Sequence, residues 1–243
     1  MKRLFTSFLL GSGLMTMAAQ ADDYVRVPVK AAHVFAPFGF DSNDDTVVVV
    51  SGWVPNLCYK DFKPQVEMSG GAAKVVMTAM KDMRPGRACA QVAIPFLEPV
   101  SLGNLKKGDY PVVVNAGVGN ELEDLVSVSQ ASSPAVDDHA YLMVDRVAMT
   151  PGSNIVEIDG FLPSNCMQFD RIETYSNGKN AYSVLPILKK VADFCPMKLV
   201  PYSVQYEVPQ TLAVDSVLLH VRSMSGKFEN AVFERPSTSA PRR

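Results

Sequence analysis

Three histidines (His33, His139 and His220) and four cysteines (Cys58, Cys89, Cys166 and Cys195) have the widest chemical reach in this 243-residue chain. A nucleophilic triad needs a serine or cysteine beside a histidine base that an acid orients. No Gly-x-Ser-x-Gly elbow occurs. The cysteines read as disulfide partners, and His220 sits in a strand-like apolar run, so no catalytic residues are expected and the chain reads as a non-enzyme. Glu98, Glu121, Glu123 and Asp124 are the acids closest to a glycosidase-type pair, which requires two carboxyls facing each other across a cleft. Solvated loops near the later strands are the expected reading of these acids. Asp41-Ser42-Asn43-Asp44-Asp45 has the composition of a calcium loop but lacks the glycine and final glutamate of the EF-hand pattern, and an Asx-rich turn needs no metal. Met77, Met80 and Met83 have thioethers suited to Cu(I). A three-residue step along a strand alternates faces, however, so core filling is the expectation, with neither metal nor cofactor. Trp53 and Phe161 stand at corresponding places beside a cysteine. They serve either as an aromatic packed on a disulfide or as an exposed platform for sugar.

The disulfide reading depends on compartment. Lys2 and Arg3, the apolar run from Phe5 to Met17 and the small-x-small triplet Ala19-Gln20-Ala21 have the three parts of a secretory signal peptide, expected over residues 1–21. The apolar run is short for a membrane span, and no later segment reads as one. A periplasmic or secreted protein is expected, and in that setting four cysteines form two disulfides by default. A net charge of −2 argues against nucleic acid or an anionic membrane as partner.

An internal repeat chooses among the three possible cysteine pairings. Gly52-Trp53-Val54-Pro55-Asn56-Leu57-Cys58 aligns with Gly160-Phe161-Leu162-Pro163-Ser164-Asn165-Cys166, and the strand-like runs Thr46–Val50 and Asn154–Ile158 precede them. The second cysteine follows in each case, then Pro95-Phe96 and Pro201-Tyr202. From there an ungapped alignment sets Tyr110–Val114 against Ser216–His220, and Leu122-Glu123-Asp124 against Phe228-Glu229-Asn230. Equivalent cysteines in a duplicated fold make equivalent bonds, which predicts Cys58–Cys89 and Cys166–Cys195. Each closes a loop of about 30 residues, worth roughly 3–4 kcal/mol in the chain-entropy account.

The elements that must carry these residues read as strands. Thr46–Val50, Lys74–Thr78 and Pro111–Asn115 are rich in β-branched residues. Ser69-Gly70-Gly71 and Ser176-Asn177-Gly178 offer the positive φ of hairpin turns. Only Val184–Ala192 hints at a helix. About six to eight strands per copy suggest an all-β fold of two tandem antiparallel immunoglobulin-like sandwiches, with a small barrel as the other candidate. The expected division is residues 22–129 for copy one, 130–136 for a linker, 137–235 for copy two and 236–243 for a disordered tail.

Gly-x-x-Pro-x-x-Cys, then Arg84–Val92 with Pro95-Phe96, Leu105-x-x-Gly108-x-Tyr110 and Val114-Asn115, resembles a domain recurrent in bacterial secreted proteins and lipoproteins. The resemblance spans about Val48 to Asn115. It implies an immunoglobulin-like sandwich and carries no assigned activity. Copy two has Val214-Asp215-Ser216 where copy one has Gly108-Asp109-Tyr110.

The function expected from this sequence is an exported interaction or structural module that binds a protein or cell-envelope component through loops on a fixed scaffold. The alternatives are a protease inhibitor presenting Met80–Arg87 as a rigid bait, and a carbohydrate- or metal-binding accessory protein.

Overall fold

The computed structural model describes residues 23–149, 153–194, 196–209 and 216–234. The expected signal peptide, Cys195 and the 236–243 tail lie outside them. The first half contains β1 (Tyr24–Pro28), β2 (Ala31–Phe35), β3 (Phe40–Asp41), β4 (Thr46–Val54), β5 (Tyr59–Ser69), β6 (Ala72–Asp82), β7 (Ile94–Gly103), β8 (Gly108–Val114) and β9 (Leu122–Ser129). The second contains β10 (Ala140–Tyr141), β11 (Met143–Met149), β12 (Ile155–Ser164), β13 (Met167–Ser176), β14 (Ala181–Lys190), β15 (Met197–Glu207), β16 (Ser216–Arg222) and β17 (Phe228–Glu234). No helix among the described residues is long and apolar enough to cross a membrane.

Two sheets make up each half, and the strand order of the first pair recurs in the second. A sheet ordered β1-β6-β8-β9 corresponds to β10-β14-β16-β17, with β5 added to β6 and β13 to β14. The smaller sheets are β2-β4-β7 and β11-β12-β15. Only the first half adds β3, at the outer edge of β9. The fully antiparallel arrangement expected from sequence needs correction. β6 pairs with β8, β14 with β16 and β3 with β9 in parallel. The intervening β7 and β15 belong to the smaller sheets, so the chain returns to its first sheet in its original direction.

The hairpin expected at Ser69-Gly70-Gly71 closes in two residues, because Ser69 pairs with Ala72 and both glycines have positive φ. That is the turn type whose twist matches flanking strands. The helical hint at Val184–Ala192 is also corrected: β14 occupies Ala181–Lys190. Every residue from Ala181 to Leu188 is buried because both faces of this strand are covered, which removes the alternation that marks a strand.

Facing also corrects the second half of the repeat alignment. In β8, Val112 and Val114 point into the first core, whereas in β16 Val217, Leu219 and Val221 point into the second. The ungapped match of Tyr110–Val114 with Ser216–His220 therefore pairs core residues with outward ones. Shifting it by one residue, so that Tyr110 meets Val217, restores the correspondence, since a single-residue slip reverses every side chain of a strand.

The glycine and Pro-aromatic motifs have one physical explanation. Gly52 lies opposite a bulge in β2, and Gly160 opposite a bulge in β11. There the neighbouring backbone passes too close for a side chain. A Cβ on Gly52 would lie 2.7 Å from the Lys30 carbonyl oxygen and 2.7 Å from the Phe96 ring, and one on Gly160 would meet the Met143 carbonyl closer still. Across the ladder from each glycine stands the aromatic of the Pro-aromatic pair, Phe96 or Tyr202. Phe96 stacks on Phe62 at 4.9 Å and Tyr202 on Phe169 at 5.6 Å, so each ring spans the two sheets. Gly52→Ala and Gly160→Ala are expected to lower the unfolding free energy by about 1–3 kcal/mol each. The measurement is the urea midpoint at unchanged denaturant slope.

Candidate functional site

The two halves are joined side by side through polar contacts, of which the Arg222–Asp44 pair is buried. β14, β16 and β17 turn their outer faces toward β2, β3 and the connection between them. Asn180 donates to the Val34 carbonyl at 2.9 Å, Asn177 to Ala36 at 3.1 Å, Ser183 to Phe38 at 2.5 Å and Arg222 to Gly39 at 2.7 Å. Arg222 also holds Asp44 through two 2.7 Å hydrogen bonds, with both side chains nearly excluded from solvent. Ala181 and Leu218 join the hydrophobic core of the first half, and Phe228 and Val232 pack against it. Residues 130–136, expected as a linker, run beside the Asp41–Asp45 turn. Asn43 donates to the Ser133 and Ala135 carbonyls, and the Ser42 hydroxyl accepts from the Ala131 amide.

His220 sits within this junction, fully buried, between Phe40 at 5.6 Å and Phe228 at 4.8 Å. Its Nδ1 lies 2.9 Å from Asn230 Oδ1, an acceptor, which assigns the ring proton to Nδ1. Nε2 is buried and has no partner among the described residues. Burial pushes the pKa down to about 4; the Asn230 hydrogen bond opposes the shift, neighbouring Arg222 adds to it and Asp44 opposes it. The imidazole is thus a neutral filler beside a cation, and its role is structural.

The junction leaves a crevice of about 340 Å³, lined by His33, Ser51, Trp53 and Leu97 from the first half and by Ser216 and Val232 from the second. Ser51 and Trp53 occupy the outward side of β4, where Gly52 and Val54 turn inward. Trp53 is 51% exposed. The His33 ring meets it edge-on at 6.3 Å and stacks on Phe35 at 6.0 Å. The period of two along β4 sends Trp53 outward, and Phe96 takes the inward place opposite Gly52. Ser51 and Ser216 gave no motif to find, since a serine in a strand is ordinary until a neighbouring element faces it.

Elsewhere the sequence candidates are dispersed. The three histidines contact different partners, His139 lying at 6.1 Å from Tyr141. Glu98 stands on β7 opposite Val50, with its pKa raised by burial and by the charge of Asp61. Glu121 accepts from the Gly117 amide, and buried Asp124 pairs with Lys179 across the junction at 2.6 Å. Glu123 lines a smaller crevice beside that pair. In the Asp41–Asp45 turn, Asp41 accepts from the Asn43 amide, Asp44 accepts from the Asp41 amide and is paired with Arg222, and Asp45 accepts from Ser101. Met77 lies in the core while Met83 is 53% exposed, so the methionine series does not converge. Among the described residues, no group of three histidine, cysteine or acidic side chains is placed to hold a metal ion. Met80–Asp82 belong to β6, which shortens the proposed bait loop to Met83–Arg87. There Asp82 grips the Arg84 guanidinium, and that hydrogen bond leads in depressing the Asp82 pKa to about 2, against partial desolvation.

Cys58 and Cys89 form a disulfide that ties the start of β5 to the segment before β7. A family model, the ORF11 beta-sandwich domain, matches residues 48–124. The matched stretch runs from β4 into β9 and includes the disulfide, the Gly52–Phe96 contact and Tyr110, whose hydroxyl donates to the Lys106 carbonyl at 2.9 Å. This first-half segment is therefore similar to a β-sandwich domain. Comparisons with curated proteins and with solved structures gave no match.

His220 gives the junction a pH dependence with a definite sign. Its folded pKa lies below the ordinary value of about 6.5, so above that pH both states are neutral and the full stability is present. As pH falls from about 6.5 toward 4, the unfolded chain takes up a proton that the folded chain excludes, and roughly 3 kcal/mol of stability is lost. Denaturant midpoints measured across that window should fall for the native chain, and His220→Leu should remove that component of the slope.

Proposed function

We propose that the chain is an exported, non-enzymatic module of two tandem copies of one immunoglobulin-like sandwich, which binds an envelope component at the crevice between the copies. The carrying observation is the half-exposed Trp53 in a crevice built from both halves, while the acids and histidines are dispersed. The recurring strand order and the paired Gly–bulge–aromatic contacts support duplication. A tyrosine hydroxyl bonded four residues upstream, as in Tyr110–Lys106, is a feature of immunoglobulin-like corners. The parallel β6–β8 pairing departs from that fold's usual antiparallel sheets.

A second staple, Cys166–Cys195, belongs to the same reading. Cys166 is buried with its Sγ 2.7 Å from the carbonyl oxygen of Phe194, the residue before Cys195. Two disulfides suit an oxidising compartment.

Two measurements test the proposal. Peptide mapping of the unreduced protein should recover Cys58–Cys89 and Cys166–Cys195; alkylation of Cys166 without prior reduction would remove the second staple. Immobilised mature protein exposed to envelope extract should retain a component that Trp53→Ala does not. Equal recovery by both, or none by the intact chain, would count against binding at this crevice.

A further inference from the structure

The crevice at the junction is selective in what it can hold. Among the described residues, no aspartate, glutamate, lysine or arginine lines it. A charged ligand would lose hydration there without gaining a counter-charge, which is costly. The polar groups that do line it are the imidazole of His33 and the hydroxyls of Ser51 and Ser216, and none of these makes a side-chain hydrogen bond among the described residues. A purely apolar ligand would bury such groups without partners. The apolar lining comes from Trp53, Pro95, Phe96, Leu97 and Val232. A flat half-exposed indole beside free hydroxyls suits a ring that presents C–H groups on its faces and hydroxyls around its rim. The volume, about 340 Å³, lies at the small end of ligand sites.

We infer that the crevice binds an uncharged saccharide ring stacked on Trp53, with Ser51, Ser216 and His33 hydrogen-bonding its hydroxyls. This rests on the proposed binding role of the crevice and names the chemistry of its ligand. Residues from both halves meet the sugar, so the recognition surface exists only when the two are docked.

Trp53 is the only tryptophan in the chain, so intrinsic indole emission reports this site alone. The full mature protein is titrated with a neutral maltooligosaccharide, a neutral N-acetylated chitooligosaccharide, an anionic oligogalacturonate and a linear alkanol. The expected result is a saturable emission change with one or both neutral oligosaccharides at millimolar concentration or below. The preferred neutral probe indicates whether plain hexose or N-acetylhexosamine is the envelope ring recognised. In calorimetry, Trp53→Ala should weaken binding by at least about tenfold, while Trp53→Phe should retain part of it. The double variant Ser51→Ala with Ser216→Ala should weaken binding while keeping the fluorophore in place. A response confined to the alkanol or the oligogalacturonate, or neutral-sugar binding unchanged in Trp53→Ala, overturns the assignment. Trp53-dependent capture from envelope extract, with no neutral-oligosaccharide response, rejects the sugar and retains the binding role. Capture and calorimetric binding both insensitive to Trp53→Ala reject the two together.

Discussion

The chain connection that leaves β2 and reaches β3 has carbonyls that lie inside the junction, and side chains from the second half hydrogen-bond them. A backbone segment buried without such partners is unfavourable, since each orphaned carbonyl costs much of a hydrogen bond. Asn180, Asn177, Ser183 and Arg222 satisfy Val34, Ala36, Phe38 and Gly39 in turn. Arg222 is itself admissible there because Asp44 neutralises it through two hydrogen bonds and the Phe40 ring lies 5.2 Å from its guanidinium. Removing one member of such a pair leaves an uncompensated buried charge. The position of the two halves, and with it the crevice between β4 and β16, depends on this arrangement.

That dependence explains an asymmetry in the chain. The outer face of β5, β6 and β8 in the first half carries exposed or partly exposed Glu67, Lys74 and Val113 and meets solvent. The corresponding face of β14 and β16 carries Ala181, Ser183, Leu218 and His220, all buried. One sheet face has been given to water and its counterpart to the other half, although the strand order is the same. The edge strands β5 and β13 each carry a bulge, at Asp61 and Asp170, with Arg26 and Arg171 paired to those acids. Bulged, charged edges resist pairing with further strands, so the contact between halves is made face to flank.

Much of the scaffold was legible in the sequence, for local reasons. β-branched runs marked strands, Gly70-Gly71 marked a hairpin, and the Gly52 and Gly160 motifs marked strands at corresponding places in the two halves. What failed to read was facing wherever both sides of a strand are buried. Thr46–Val50, Ala181–Leu188 and Val217–Arg222 lack the alternation that sets register, so the repeat alignment slipped by one residue and β14 resembled a helix. The Asp44–Arg222 pair was also illegible, because its members are far apart in sequence and each looks like an ordinary surface charge. Trp53 was visible as a candidate, but whether it packed inward depended on the parity of β4 relative to Phe96, which only the paired ladder reveals.

The same burial limits how the molecule can be divided. Cutting within residues 130–136 separates two halves that each contain a set of strands and a core cluster, yet the second would then expose Ala181, Leu218, His220 and Arg222 together. Arg222 would lose Asp44, and a sheet face containing aliphatic groups would meet water. A contiguous exposed apolar face promotes association, so the isolated second half would be expected to self-associate or to unfold that face. The first half would lose Lys179 from buried Asp124 and leave the connection after β2 without its side-chain donors. The two halves are therefore better regarded as one cooperative unit than as separable modules on a tether. Any ligand that touches both β4 and β16 would also add its binding free energy to the stability of their union.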